Sequence, residues 1–164
     1  MKKKILILKA EVEEELTQIK ELVEEFEKLE EKEYEQNIKN RLMASYLTDY
    51  YMAMERIFKN IAREIDEDIP EGEEWHKSLL RQMSIEIPNE RPPVISKELY
   101  QELEEYLRFQ HLAKNIYGFQ LKREKFSHLI DKLPETYKQS QNEIKKFINT
   151  REKIARKADA DNTT

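Results

Sequence analysis

Residues 12–29 read VEEELTQIKELVEEFEKL, and Val12, Leu16, Ile19, Val23, Phe26 and Leu29 recur there at intervals of three and four. That spacing places six apolar side chains on one stripe of a helix and leaves the glutamates on its other faces, so the stretch predicts a long amphipathic helix over about residues 4–33. Working outward, Tyr34 to Asp68 contains neither Gly nor Pro. Ile38, Leu42, Tyr46, Tyr50, Ala53, Ile57, Ile61 and Ile65 mark a second stripe of nearly nine turns. Residues 30–36 hold no strong breaker, so a hairpin between the two helices follows only from compactness.

Pro70-Glu71-Gly72 breaks the chain, and Glu73 to Ile85 predicts a shorter helix carrying Trp75, Leu79, Leu80 and Met83. Pro88, Pro92 and Pro93 make residues 87–96 an irregular loop, and Ser96 is the expected N-cap of a fourth helix reaching about Tyr117, where Gly118 supplies a stop. A last helix is expected from Lys122 to about Lys157 on Phe126, Leu129, Ile130, Leu133, Tyr137, Ile144, Phe147 and Ile148, kinked or restarted at Pro134. The expectation is an all-α, up-and-down bundle of about five helices. Residues 1–158 form one domain in this reading and 159–164 a disordered tail.

Composition supports that class. The chain has 164 residues, two Gly, five Pro and no Cys, with 38% charged and 38% apolar residues, too few turn formers for an all-β fold. The absence of Cys excludes disulfide frameworks, thiol nucleophiles and thiolate zinc sites and fits a reducing compartment. Met1 to Leu8 offers a basic start but only four apolar residues before Lys9, well short of a secretory or spanning segment. A cytoplasmic protein is expected. Net charge is −5, unevenly spread: residues 11–36 hold twelve Glu and three Lys, whereas residues 108–158 hold thirteen Lys/Arg and five Asp/Glu. Either antiparallel helices attract one another, or an acidic wall and a basic groove serve different partners.

The stretch Leu107 to Phe119 carries the chemistry. On a continuous helix Arg108, His111 and Asn115 share one face, with Leu112 and Ile116 beside it as anchors and Tyr117 presenting its hydroxyl near solvent. A guanidinium, an imidazole and an amide can together bind and polarise a phosphate, and Lys114 adds attraction. The plainer reading is a solvated helix face with His111 satisfied at an interface. Asp49 and Glu55 lie near one stripe of the second helix, where buried acids would anchor Arg108. Trp75 is expected to pack under the bundle with His76 on its rim. Tyr34, Tyr46, Tyr50, Tyr51, Met52 and Met54 fit core or dimer surface. With His at 76, 111 and 128 only, no transition-metal spacing exists, and without a Gly-rich phosphate loop no cofactor is expected.

Here the chain resembles the HEPN superfamily, specifically HepT-like ribonuclease toxins, whose bundle carries Arg, four to six residues, then His, often with Tyr two residues after the His. The likeness runs from Leu42-Met43-Ala44-Ser45-Tyr46-Leu47 through Glu55-Arg56-Ile57-Phe58 and Trp75-His76-Lys77-Ser78-Leu79-Leu80 to Leu133-Pro134. It implies a homodimer whose two motif copies form a metal-independent ribonuclease site. It also implies a minimal nucleotidyltransferase antitoxin as partner, which in some members attaches AMP to the Tyr. Mapped onto this chain, Arg108 is the Arg and Tyr117 the Tyr, while Asn115 stands at the His position. Asn cannot act as an acid or base, so either His111, one turn earlier, is the candidate proton carrier, or catalysis rests on Arg108 and phosphate positioning alone and is slow. The alternatives are a binding subunit that holds a nucleotidyltransferase or RNA without cutting it, and a purely structural helical adaptor. Arg123 to His128 also spells Arg, four residues, His, but follows the Gly118 break and has Ile130 where the Tyr belongs.

Overall fold

In the computed structural model, which describes residues 1–163, the chain forms five α-helices: α1 (Lys2–Glu31), α2 (Gln36–Ile61), α3 (Trp75–Ser84), α4 (Lys97–Lys114) and α5 (Ser127–Asn162). The described residues contain no strand, only an isolated bridge between Ile87 and Arg91. The stripe on α1 is buried at all six predicted positions and extends back to Leu8. It packs along α2 and α5; α2 in turn packs on α4, and α3 braces α2 and α4 from one side. No helix among the described residues is long and apolar enough to cross a membrane.

Several details differ from the sequence reading. On α2 the buried stripe begins with Asn40, Met43, Ala44 and Leu47, while Ile38 and Leu42 are exposed. Tyr50, Tyr51 and Met54 fill the core, but Tyr34 and Met52 face outward. At 100° per residue Ile38 and Leu42 lie on the side of α2 away from Asn40, Met43, Ala44 and Leu47, so the covered face there is not the one the apolar repeat marks. α5 neither breaks nor restarts at Pro134. Proline removes the N–H that Ile130 would receive, yet Ile130, Leu133 and Tyr137 are buried on that face. One position back, the Tyr106 hydroxyl donates to the Leu129 carbonyl at 2.8 Å and ties this turn to α4. Packing thus carries the helix through the proline. α5 also continues through residues 159–162, beyond the expected end at Lys157; residue 164 of the expected tail lies outside the described residues. An ion pair between the acidic α1 and the basic α5, Lys9 with Glu152 at 2.7 Å, runs opposite to the bulk charges of those helices.

The connection from α2 to α4 is built around one buried ion pair. A π-helical turn, Ala62–Asp66, widens the end of α2, and Glu67 closes it in the left-handed region at φ 56°. Gly72, at φ 95°, makes the reversal into α3, a conformation that L side chains rarely adopt. Asp66 then meets Arg91 from the proline-rich loop, with Nη2 to Oδ2 at 2.8 Å and the two side chains 0% and 2% exposed. Arg91 also donates to the carbonyls of Gln82, Ile85 and Pro92, so its guanidinium ties the end of α3 to the loop. Gln82 reaches back to Asp66 and the Asp68 carbonyl. Beyond the loop, Ser96 caps α4 as expected, accepting from the Leu99 N–H, while its own hydroxyl donates to Glu143 on α5 at 2.9 Å.

Removing one partner of such a pair leaves an uncompensated charge in a dry site. Arg91→Ala is expected to lower the unfolding free energy by about 3–5 kcal/mol, read from urea denaturation followed by circular dichroism. A loss below about 1 kcal/mol would show that Asp66 is not confined as described.

Candidate functional site

Three helices meet where the chemistry-bearing residues gather. α4 supplies Tyr100, Glu104, Arg108 and His111, which with Lys77 and Leu80 of α3 line a cleft of about 160 Å³. Tyr100, Glu104, Arg108 and His111 follow one another at intervals of three and four, so the pitch of α4 alone brings them to one wall. The buried Leu99, Leu103 and Tyr106 hold the neighbouring face of that helix in the core, and the buried Leu107 also lines the cleft.

α3 presents Trp75 and His76 at its first turn. The two rings stack at 3.7 Å between centroids, and Lys59 of α2 lies 4.1 Å from the centre of the indole. His76 Nδ1 is 2.7 Å from Glu55 Oε2, a carboxylate buried on the core-facing stripe of α2. The edge of one imidazole meets the face of the other where His76 approaches His111, with centroids 5.5 Å apart and planes at 78°. Glu55, His76 and His111 thus form a chain of contacts across α2, α3 and α4. Tyr51, one turn before Glu55, has a fully buried hydroxyl with no hydrogen-bond partner among the described residues. Burial, then the charge of Glu55, holds that phenol protonated.

The electrostatics of the cleft follow from these neighbours. Burial pushes His111 below its ordinary range, and His76, Lys114 and Lys77 push the same way against the opposing pull of Glu55. Glu104 is held below the usual carboxylate range, first by the Tyr100 hydroxyl and then by Arg108, whose Nη2 sits 2.6 Å from its Oε1. Arg108 is largely exposed. Its guanidinium therefore keeps free donors toward solvent while one edge rests on Glu104.

The sequence-predicted residues separate into two groups. Arg108 and His111 share the cleft. Asn115 does not join them, because α4 ends at Lys114 and Asn115 is its C-cap, with φ −107° and ψ 3°. Its side-chain amide donates to the His111 carbonyl at 2.7 Å, closing the helix end rather than facing a substrate. Lys114 is exposed on the last turn. Leu112 is exposed too, so the expected anchoring by Leu112 and Ile116 falls instead to Leu107, Phe109 and Gln110. Tyr117 lies beyond the helix, 72% exposed, its ring stacked on Phe119 with centroids 5.5 Å apart. A Cβ on Gly118 would fall 2.6 Å from the guanidinium of Arg41, the movable end of an exposed side chain.

Glu55 pairs with His76 and not with Arg108, and Asp49 is exposed, so the expected acidic anchor for Arg108 is Glu104 of its own helix. Arg123 and His128 lie outside the cleft, on a 3₁₀ turn and the start of α5, with His128 facing Glu105 at 3.3 Å. Among the described residues no group of three His, Asp or Glu is arranged to hold a metal ion. The residues not singled out for the site from sequence are Lys77, Tyr100 and Glu104, together with the roles of Glu55 and His76. An acid on an apolar stripe was the available signal, because such a group requires a buried partner.

His111 gives a titration that can be followed. Its pKa lies below the ordinary 6.5, so at mildly acid pH the unfolded chain takes up a proton that the native chain refuses. The stability this supports is complete above pH 6.5 and is lost as pH falls through the native value. The His111 Cε1 proton should titrate below the ordinary range in nuclear magnetic resonance. Thermal midpoints of His111→Leu between about pH 5 and 8 should fall less steeply toward acid than those of the parent. A parent-like slope in the variant would refute this origin.

A family model described as HepT-like protein matches residues 42–151, from the second turn of α2 through most of α5 and including the whole cleft. No curated protein and no solved structure matches the chain. With more than half of its length matched, and with an all-helical bundle of the expected kind, the chain belongs to the HepT-like family of the HEPN superfamily.

Proposed function

We propose that the protein is the toxin component of a toxin–antitoxin pair, a metal-independent endoribonuclease that works as a homodimer on RNA, transfer RNA included. The observation that carries this reading is the pairing of an exposed guanidinium with a half-buried imidazole in one cleft of α4, Arg108 and His111. Arg108 offers unoccupied donors to a phosphate and neutralises charge as it builds in the transition state. His111, kept neutral by burial, accepts the proton of the ribose 2′-hydroxyl. Lys114 strengthens attraction for the backbone from the rim. Asn115 acts indirectly, by holding the last turn that carries His111.

Tyr117 is the proposed acceptor of an adenylyl group from a minimal nucleotidyltransferase antitoxin. Its exposed ring, backed by Phe119, suits a residue that another enzyme must reach. A second reading is favoured by the engagement of Arg108 with Glu104 and of the Asn115 amide with the helix end: a binding subunit that holds RNA or the nucleotidyltransferase without cutting.

Total transfer RNA incubated with the purified protein in chelator should yield fragments ending in cyclic phosphate, and Arg108→Ala should slow this by roughly 10²–10³-fold. Cleavage unchanged in Arg108→Ala would refute the assignment, and no cleavage by either protein would leave the binding reading. Co-expression with a minimal nucleotidyltransferase should add the mass of an adenylyl group to the parent and not to Tyr117→Phe. A parent of unaltered mass, or an equally modified variant, would remove Tyr117 from that role.

A further inference from the structure

The reading above leaves His76 unused. It opens α3, yet its position is fixed from α2: Nδ1 donates to the buried Glu55 carboxylate at 2.7 Å, and Trp75 covers one ring face. An imidazole bound through Nδ1 to a carboxylate has its tautomer set, with Nε2 left to take or give a proton. His111 stands against it at 5.5 Å between centroids. At that separation one phosphate is large enough to reach a nitrogen of each ring. Lys77 follows His76 directly, and Arg108 lies one turn from His111 on the same cleft wall. The charged groups around the pair are thus Glu55 and Lys59 from α2, Lys77 from α3, and Arg108, Lys114 and Glu104 from α4.

We propose that His76 and His111 are one acid–base pair that holds a single phosphodiester, with His76 a catalytic residue and Glu55 the residue that positions it. The proposal rests on the RNA-cleaving reading and supplies the second proton carrier that Asn115 cannot provide. His111 takes the proton from the 2′-hydroxyl as that oxygen bonds to phosphorus. The bond from phosphorus to the 5′ oxygen breaks, and His76, entering as the doubly protonated imidazolium, passes its Nε2 proton to the departing oxygen and keeps the Nδ1 proton on Glu55. The products are a 2′,3′-cyclic phosphate and a 5′-hydroxyl. One proton has left an oxygen and another has arrived, so a proton returned from His111 to His76 through solvent resets the pair.

The chain has three histidines, so single variants assign every Cε1 proton resonance. The full chain, in chelator, is titrated with uridine 3′-monophosphate, and cleavage of transfer RNA is measured alongside. His76 and His111 are expected to shift together with one dissociation constant while His128 stays still. His76→Ala is expected to weaken the His111 response at least tenfold and to cut cleavage by a factor of roughly 10²–10⁴. In Glu55→Gln the ring-nitrogen shifts of His76 should lose their single-tautomer pattern, with kcat falling and KM nearly unchanged. A response at His111 alone, at neither ring, or equally at His128 would overturn the pair even if the protein cuts RNA. Joint shifts in a protein that leaves RNA intact would overturn the cleavage step and the ribonuclease reading, while phosphate binding by the two rings would stand. Undiminished cleavage by a folded His76→Ala would overturn the catalytic role of His76 alone.

Discussion

Arg91 and Asp66 are withdrawn from water together, and most of the local architecture follows from keeping them so. Neither charge is tolerable in a dry site unless paired, and Arg91 uses its remaining donors on three backbone carbonyls. Those carbonyls belong to the end of α3 and to the loop after it, while Asp66 belongs to the end of α2. The pair therefore fixes how far α3 stands from α2. A bundle of long helices needs no such device to bury its stripes. A short helix of ten residues, with only Leu79, Leu80 and Met83 in the core, does.

The cleft shows a second use of a buried acid. Glu55 lies among apolar side chains on α2, where a carboxylate is costly without a partner. His76 provides it and is thereby locked in orientation. The Tyr51 hydroxyl one turn away is buried without a hydrogen-bond partner among the described residues, and so is the side-chain oxygen of Gln110 beside His111 in sequence. Polar groups held in this state are uncommon in a well-packed interior. Here they lie on α2 and α4, the two helices whose Glu55 and His111 flank His76.

Most of the scaffold was legible in the sequence because period, proline and capping residues are local signals. The stripe of α1, the seven apolar positions of α5 with Phe126 at its N-cap, and the Ser96 cap all stand where their spacing placed them. The misplaced details depend on partners distant in sequence. Ile38 and Leu42 are exposed because Asn40, Met43, Ala44 and Leu47 take the covered face of α2 there, and Pro134 sits inside a helix because its neighbours pack on α2 and α4. The candidate site divides the same way. Arg108 and His111 come together by helical pitch alone. Asn115 drops out because α4 closes one residue earlier than a continuous helix would require. Glu55 and His76, 21 residues apart across a turn, have no shared periodicity that would announce their contact.

The family match begins at residue 42, beyond α1 and the first turns of α2. Yet α1 lays Leu8, Val12, Leu16, Ile19, Val23, Phe26 and Leu29 into the common core along α2 and α5. Excised at its matched boundary, the segment would expose a continuous oily groove where those seven side chains had been, a surface prone to self-association. In this protein the segment matched by the family model and the set of helices that share one core are thus different objects. The acidic first helix is an integral wall of the bundle, and a truncation made to isolate the cleft would forfeit the scaffold that shapes it.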